Sequence, residues 1–433
     1  MPFESAALTR RRVAVIGAGI SGLGAAQALS SSYDVTVFEA EPRLGGHART
    51  VVAGKRGDQP VDTGFIVFNY ANYPNLTRVF EELGVPVVSS EMSFGVSARD
   101  GRVEYGLANA DAFFARRLNA LDPRFLGLLR DIFRFNARAN DTVRDHPDLT
   151  IGDFVETLRL GKWFRDYYLL PLTGAIWSTP TRKVEEFPAQ AMVRFLNNHG
   201  LLTYANQHQW YTVDGGSIAY VERLERALRQ AGADLRPGYP VEAVRRIETA
   251  VEIRPLGGEW ESFDEVIFAT HSDDTLALLA DASDTERRAL SAIRYQPNDV
   301  VLHADPSVMP TRKQVWSSWN YSEAPAKRDG QIDVTYWMNC LQPIPKNDPM
   351  FVTLNSQRPI REELIYDQVT LRHPVYDTAA LEAQKLVREM NGTRATWFCG
   401  AWMKDGFHED GLSSGLDVAR AILDRGAVAL AAE

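Results

Sequence analysis

Cysteine is nearly absent from this 433-residue chain: Cys340 and Cys399 are the only two. A pair so far apart offers no disulfide framework and no metal knuckle, which fits a reducing compartment, most simply the cytoplasm. Basic excess is lacking too. With 47 Lys and Arg against 56 Asp and Glu the formal net charge is −9, so no broad cationic surface for nucleic acid is expected. No apolar run approaches the ~18 residues of a bilayer span. The first dozen residues include Arg10, Arg11 and Arg12 but no apolar stretch before the first strand, so no leader is expected. Low-complexity tracts and internal repeats are missing as well, and the length suits two or three ordinary globular domains.

What the chain does contain is a compact amino-terminal signal. Val13-Ala14-Val15-Ile16 is a short all-apolar run of the kind a buried parallel strand shows. It leads into Gly17-Ala18-Gly19-Ile20-Ser21-Gly22, after which Leu23, Ala26 and Leu29 mark the packing face of a helix. Val35-Thr36-Val37-Phe38 reads as the next strand, closing on Glu39 and Ala40. This is the spacing of a dinucleotide-binding unit. Gly17 permits a tight turn, Gly19 keeps side-chain bulk from a pyrophosphate, and Gly22 lets helix and strand pack closely. The helix start at Ile20 and Ser21 offers N–H groups and a positive dipole end to phosphate. Glu39 lies where a carboxylate accepts from adenosine ribose hydroxyls and repels a 2′-phosphate, which disfavours NADP. The fingerprint alone leaves NAD and FAD both open.

Further turns bear on that choice. In Arg43-Leu44-Gly45-Gly46-His47-Ala48-Arg49 a second glycine pair can reach the same pyrophosphate, with Arg43 and Arg49 adding charge. An ordinary tight turn before a strand fits these residues equally. Thr63, Gly64 and Phe65 form another small-residue turn, suited to a planar ring lying against backbone. Val266 to Thr270 reads as a strand of the same sheet ending at Ala269 and Thr270, and Trp397 to Gly400 as a later one followed by Ala401. Gly411-Leu412-Ser413-Ser414-Gly415 reads as the entry to an apolar helix, whose amino end suits the N1/O2 edge of a reduced isoalloxazine.

Together these motifs resemble the flavin-containing amine oxidase and phytoene desaturase superfamily, along the whole chain. The resemblance implies an α/β fold, with a Rossmann-type, amine-oxidase-like FAD-binding domain, a discontinuous α+β substrate domain, and FAD as cofactor. It implies flavin-domain segments 1–72, 210–275 and 390–433, and substrate-domain segments 73–209 and 276–389. It gives Val241 a backbone contact to adenine, although an ordinary strand-core role fits that side chain as well. Two positions depart from the pattern. His47 stands where members usually carry Arg, and Ala401-Trp402 where many place an acid, so phosphate and ribityl contacts must be met otherwise. More narrowly, Gly45-Gly46-His47, Val61 to Asn69, Trp316 to Tyr321 and Gly406 to Gly411 look like a bacterial subgroup found beside cyclopropane-fatty-acid-synthase-like methyltransferases. That subgroup implies a desaturase that passes hydride from a methyl-branched fatty acyl chain or phospholipid to flavin N5, with a lipid methyltransferase as partner.

No nucleophile triad, metal constellation or Cys-x-x-Cys pair is present, and a flavin carries its own redox chemistry. Proton acceptors are sought among His47, His271, His303 and Tyr321. Lys313 reads either as a lysine near N5 or as an exposed loop residue, and no catalytic residue is assigned. Three functions stay open: an acyl desaturase, an amine oxidase whose aromatic cage draws on Trp402 and Tyr321, and a non-catalytic scaffold for a partner enzyme. Residues 111–140 bear on the first. Asp111 is expected to cap a helix bearing Phe114, Leu118 and Leu121, and Asp122-Pro123 to open another with Leu129, Ile132 and Phe133 on an apolar side. Arg130, Arg134 and Arg138 recur at i, i+4 spacing on another side. That pattern fits an anionic membrane surface or a merely solvated face. The expected location is the cytoplasm, with peripheral attachment to the inner membrane face as its extension.

Overall fold

The computed structural model describes residues 10–177, 184–203, 208–323 and 332–432, the side chains of 428–432 apart. The expectation about a leader falls largely before Arg10, outside the described residues. Alternation builds the nucleotide-binding half. In the strand Arg12–Ile16, Val13 and Val15 pack on one side while Ala14 and Ile16 pack on the other, and all four are buried. The sheet runs Asp234–Pro237, Asp34–Glu39, Arg12–Ile16, Glu265–Phe268, Thr396–Phe398, with every neighbouring pair parallel. One face is covered by the helices Ile20–Leu29, Ile218–Gln230 and His408–Ala432. The other meets an antiparallel meander of Val241–Arg246, Val251–Pro255 and Glu261–Phe263, with the helices Asp284–Ser291 and Thr378–Met390 beside it. This is the three-layer α/β arrangement of a Rossmann-type unit. Helix Pro74–Leu83 packs there too through Leu76, Val79 and Phe80, as do the two helices from 276–389, although the sequence reading groups all three with the substrate segments.

The second half is a seven-stranded mixed sheet, Ile365–Val375, Arg294–His303, Phe351–Leu354, Val334–Trp337, Trp319–Ser322, Phe94–Ala98, Val103–Gly106. Only Trp319–Ser322 and Phe94–Ala98 pair in parallel. Helices from 123 to 198 cover it with Phe125, Phe135, Phe154 and Phe164 in one core.

Residues 111–140 depart in part from expectation. Asn109, not Asp111, caps the first helix, accepting from the Ala112 N–H at 2.9 Å. That helix is only Ala110–Phe113, and a 3₁₀ turn follows at Arg117–Leu121, so Leu118 and Leu121 stand 64% and 79% exposed instead of forming a packed stripe. Asp122 and Pro123 do open the long helix Pro123–Asp145. Its inward stripe is Phe125, Leu128, Ile132, Phe135 and Ala139, whereas Leu129 is half-buried and Phe133 faces outward. Leu129 and Ile132 therefore share the inward side as expected, and Phe133 does not. Arg130, Arg134 and Arg138 are exposed, with Arg130 on Asp131 at 2.8 Å and Arg134 on the Arg159 carbonyl at 3.2 Å.

The halves are tied by a buried carboxylate. Asp62 accepts from the Thr50 hydroxyl at 2.6 Å, from the Ser217 N–H and hydroxyl at 2.9 and 2.7 Å, and from the Gln342 amide at 3.1 Å. Lost hydration outweighs these donors and pushes its carboxyl up to about 6. The folded chain thus holds that proton more tightly than the unfolded chain. The resulting stability is complete below about pH 4 and is lost as pH rises through about 6. This group should make unfolding about 2.4 kcal/mol easier at pH 7.5 than at pH 4, and Asp62→Asn should remove that share of the pH dependence. Urea denaturation of both proteins at the two pH values checks it; equal pH dependence would refute the assignment.

Candidate functional site

Close backbone approach shapes the cleft. Gly17 has φ +100° and donates its N–H to the Phe38 carbonyl at 2.8 Å, and a Cβ there would sit 2.9 Å from the Ala269 carbonyl oxygen. A Cβ on Gly22 would fall 2.0 Å from the Gly17 carbonyl oxygen, so nothing larger fits. Gly19 is different. It precedes the helix Ile20–Leu29 with no side-chain cap, and nothing lies within 4 Å of where its Cβ would be. The N–H groups of Ile20 and Ser21 are thereby kept for a ligand.

The other predicted turns converge on the same place. Gly45 bridges Gly19 and donates to the Ala18 carbonyl at 2.8 Å, while a Cβ on Gly46 would touch the Gly19 Cα at 3.1 Å. Thr63 donates its N–H to the Arg49 carbonyl at 2.8 Å, and Phe65 donates to the His47 carbonyl at 2.9 Å. A Cβ on Gly64 would strike that His47 carbonyl oxygen at 2.0 Å. Ala269 donates to the Ile16 carbonyl at 2.8 Å, and the Thr270 hydroxyl meets Thr275 at 2.8 Å. Glu39 ends its strand as expected, with its carboxylate oxygens accepting from Ala18 at 2.7 Å and Glu41 at 2.9 Å. Each oxygen keeps a lone pair for a ribose hydroxyl. Beyond Ala40, the Gly238 and Tyr239 N–H groups bond the carbonyls of Glu41 and Glu39, which brings the approach to Val241 alongside. The Val241 side chain itself packs on the meander core.

Several expected roles need correction. Arg43 donates to the Gly46 and Ala48 carbonyls at 2.9 and 3.3 Å and pairs with Glu41 at 3.1 Å. Arg49 grips both oxygens of Asp367, at 2.6 and 3.1 Å. Both arginines brace loops. Gly411 does not open the last helix: it lies inside His408–Ala432 and already donates to the Phe407 carbonyl at 3.0 Å. The open helix end therefore belongs to His408, Glu409 and Asp410. Gly411 instead admits Ser21, whose hydroxyl would stand 2.9 Å from a Cβ there, and Leu412 packs over Gly24. The Ser413 hydroxyl takes the Lys404 ammonium at 2.5 Å. Gly400, at φ +153°, donates to the Ser414 hydroxyl at 3.1 Å and makes way for the Trp402 indole, with Ala401 beside it.

Of the proposed proton acceptors, His303 is buried in the seven-stranded sheet against Thr353 at 2.7 Å, and burial pushes it down to about 4. Tyr321 is buried in the same core, and Lys313 lies 5.9 Å above the Trp316 ring, on a separate 3₁₀ turn. Trp402 belongs to the opposite core and donates to the Thr270 carbonyl at 3.0 Å, so Trp402 and Tyr321 form no cage. His47 and His271 do meet, at 5.8 Å between ring centres, and His373 joins them 5.7 Å from His47. His408 stacks on Phe65 at 3.9 Å and shares a 2.6 Å hydrogen bond with Tyr220. Desolvation holds all four imidazoles below their ordinary range, with His271, His373 and His408 at about 3. The Nε2 of His47 is buried with no partner among the described residues. Sequence assigns no role to His373, His408 or Asp367; His408 lies within the Gly406–Gly411 motif, and nothing local marks the other two.

A sequence profile described as Flavin containing amine oxidoreductase matches residues 20–310. The chain belongs to this family. Protoporphyrinogen oxidase 2, chloroplastic/mitochondrial, of Arabidopsis thaliana is 55% identical over 47 residues, which span only 11% of this chain and 9% of that protein. Among solved structures, a CLA-producing fatty acid isomerase from P. acnes matches with a TM-score of 0.70 at 18% identity, covering 95% of this chain and 98% of that one. Cyclohexylamine oxidase from Brevibacterium oxydans matches at 0.69 and 16%, covering 96% and 99%. At such identities the likeness is one of fold. This family member is a flavin-containing oxidoreductase with FAD as its cofactor. The open space at Gly19 and the orphaned His47 nitrogen fit such a ligand, which when bound supplies an acceptor for hydride.

Two glycine variants separate folding from cofactor binding. Gly19→Val should leave a folded but colourless protein, because the added methyls enter open space meant for pyrophosphate. Gly22→Val should fail to fold. Absorbance near the flavin bands together with circular dichroism reads both; a yellow Gly19→Val protein would defeat the assignment.

Proposed function

We propose that this oxidoreductase is a desaturase or dehydrogenase of fatty acyl chains, with a methyl-branched acyl phospholipid as the favoured substrate. Bound flavin would supply, at N5, the acceptor for the hydrogen and electron pair of one C–H bond. The neighbouring C–H pair then forms the double bond as its proton leaves. The observation that carries the reading is the character of the cleft. An ammonium substrate wants aromatic faces or an unengaged acid, yet Trp402 and Tyr321 lie in separate cores. Asp62 and Asp367 are bonded as described, and Glu409 holds Asn75 and Leu76 at 2.6 to 3.0 Å. An acyl C–H needs only placement and exclusion of water. The same fold carries a fatty acid isomerase, so it accommodates such a chain.

Access to lipid is proposed at residues 111–140, on the inner face of the cytoplasmic membrane and beside a lipid methyltransferase. Leu118, Leu121 and Leu126 are exposed there, with Arg117, Arg124, Arg130, Arg134 and Arg138 exposed around them. Leucines among arginines suit an anionic lipid interface. No helix among the described residues is long and apolar enough to cross a membrane. Wild type should float with phosphatidylglycerol vesicles at low salt, and Leu118→Asp with Leu121→Asp should not. Wild type remaining in the soluble fraction at low salt would refute the interface.

Anaerobic mixing tests the reaction. A methyl-branched acyl phospholipid should bleach the flavin, and small primary amines should not. Bleaching by amines alone would make the protein an amine oxidase, and bleaching by neither would favour a non-catalytic scaffold.

A further inference from the structure

A dianionic pyrophosphate calls for positive charge, and the cleft has little to spare. Arg43 is engaged by Glu41 and two carbonyls, Arg49 by Asp367, and Arg372 by Asp273 and Asp274. What the cleft gathers instead is imidazole. Four of the chain's eight histidines, His47, His271, His373 and His408, reach it from distant segments. Among the described residues none has a carboxylate at hydrogen-bonding distance; Asp274, 3.9 Å from His271 Nδ1, comes nearest.

We propose that FAD binding draws a proton onto the His47, His271 and His373 group, so that imidazole supplies the cation which the engaged arginines do not. This rests on the assignment of the cleft to FAD. His47 follows Gly46, whose backbone lies against Gly19, and His271 follows Ala269 and Thr270, which pack on Gly17. His47 Nε2 has no partner while the ring also meets the Arg372 carbonyl, so one nitrogen is available to take a proton.

The surroundings are mixed in sign. Arg43 and Arg372 oppose a charge on His47, and Glu41 favours it. His47, His373 and Arg372 oppose one on His271, which stacks on Tyr295 at 4.3 Å with Asp273 and Asp274 beyond. His373 faces His47 and the Asn298 amide, and His408 faces His47 and Tyr220. Burial first, and then the neighbouring charges, hold His271 and His373 at about 3. A phosphate charge, were it to lie ~7 Å away, would raise an imidazole's proton affinity roughly 50-fold at an effective dielectric of ~20. Two such charges would offset much of the lowering that burial imposes on these rings.

Calorimetric titration of FAD into the full-length apoprotein, in two buffers of different ionisation enthalpy, counts the protons taken up. Uptake should approach one proton near pH 6 and vanish at pH 8, with affinity rising up to about tenfold per pH unit on acidification. The variant with all three histidines changed to Gln should show no uptake and a flat profile. Equal uptake in wild type and variant, or none in wild type, overturns the proposal. Nitrogen-15 spectra of histidine-labelled wild type decide the matter even if the triple variant fails to fold. Ring signals that acquire the imidazolium pattern on FAD addition support it. Signals that move without protonation overturn the linkage and leave the cleft assignment standing. Signals that stay still while FAD binds overturn both.

Discussion

The helix Ile20–Leu29 is clamped with no room for a Cβ on either side. Gly22 lies on the Gly17 carbonyl, and Gly415 would place a Cβ 2.1 Å from the Ser21 carbonyl oxygen of the same helix. Everything at the cofactor cleft follows from that clamp. It fixes the amino end of the helix at the carboxyl edge of the parallel sheet, where α/β proteins bind ligands. It also brings the start of the last helix, at His408, to the opposite side of the same opening. The ion pair of Arg49 with Asp367 and the hydrogen bonds of Asp62 with Gln342 then hold the seven-stranded sheet against this frame. The wall contributed by His373 stands where it does because these ties are short and largely screened from water.

How much of this was legible in the sequence depended on how local the governing contact is. The turn at Gly17 to Gly22, the strand ends at Glu39 and Ala269, and the Asp122-Pro123 helix start are set by neighbours within a few residues, and each stands where the spacing puts it. The start of the last helix did not read correctly. Gly411 and Gly415 look like a loop entering a helix, but they are small because Ser21 and Ile20 press on them from across the fold. Arg43 and Arg49 looked available for phosphate for a related reason. Nothing near Arg49 announces Asp367, which is 318 residues away. The apolar side chosen for 123–140 failed by a small rotation: Ile132 and Phe133 are adjacent in sequence, about 100° apart on a helix, and one faces in while the other faces out.

The histidines show the same limit from the functional side. His47, His271, His373 and His408 are each unremarkable in their own segment, and no spacing relates them. Only folding reveals that half of the chain's histidines share one opening, with their charge suppressed by burial and by one another. A cleft of neutral rings is a different electrostatic environment from one lined by arginine, although both suit an anion: the first acquires its charge on demand, the second carries it always.

The order in which the cleft's walls occur along the chain has a consequence for biosynthesis. The fingerprint glycines are made well before His373 and the helix His408–Ala432. A chain still emerging from the ribosome has its phosphate-binding loop but neither far wall, and its central strand Arg12–Ile16 must wait more than 250 residues for its neighbour Glu265–Phe268. Until then that apolar strand has an unpaired edge, the kind of surface that chaperones cover and that aggregation recruits. Both walls of the cleft therefore exist only once His408–Ala432 has been made, whereas the exposure of the strand edge ends earlier, when Glu265–Phe268 follows.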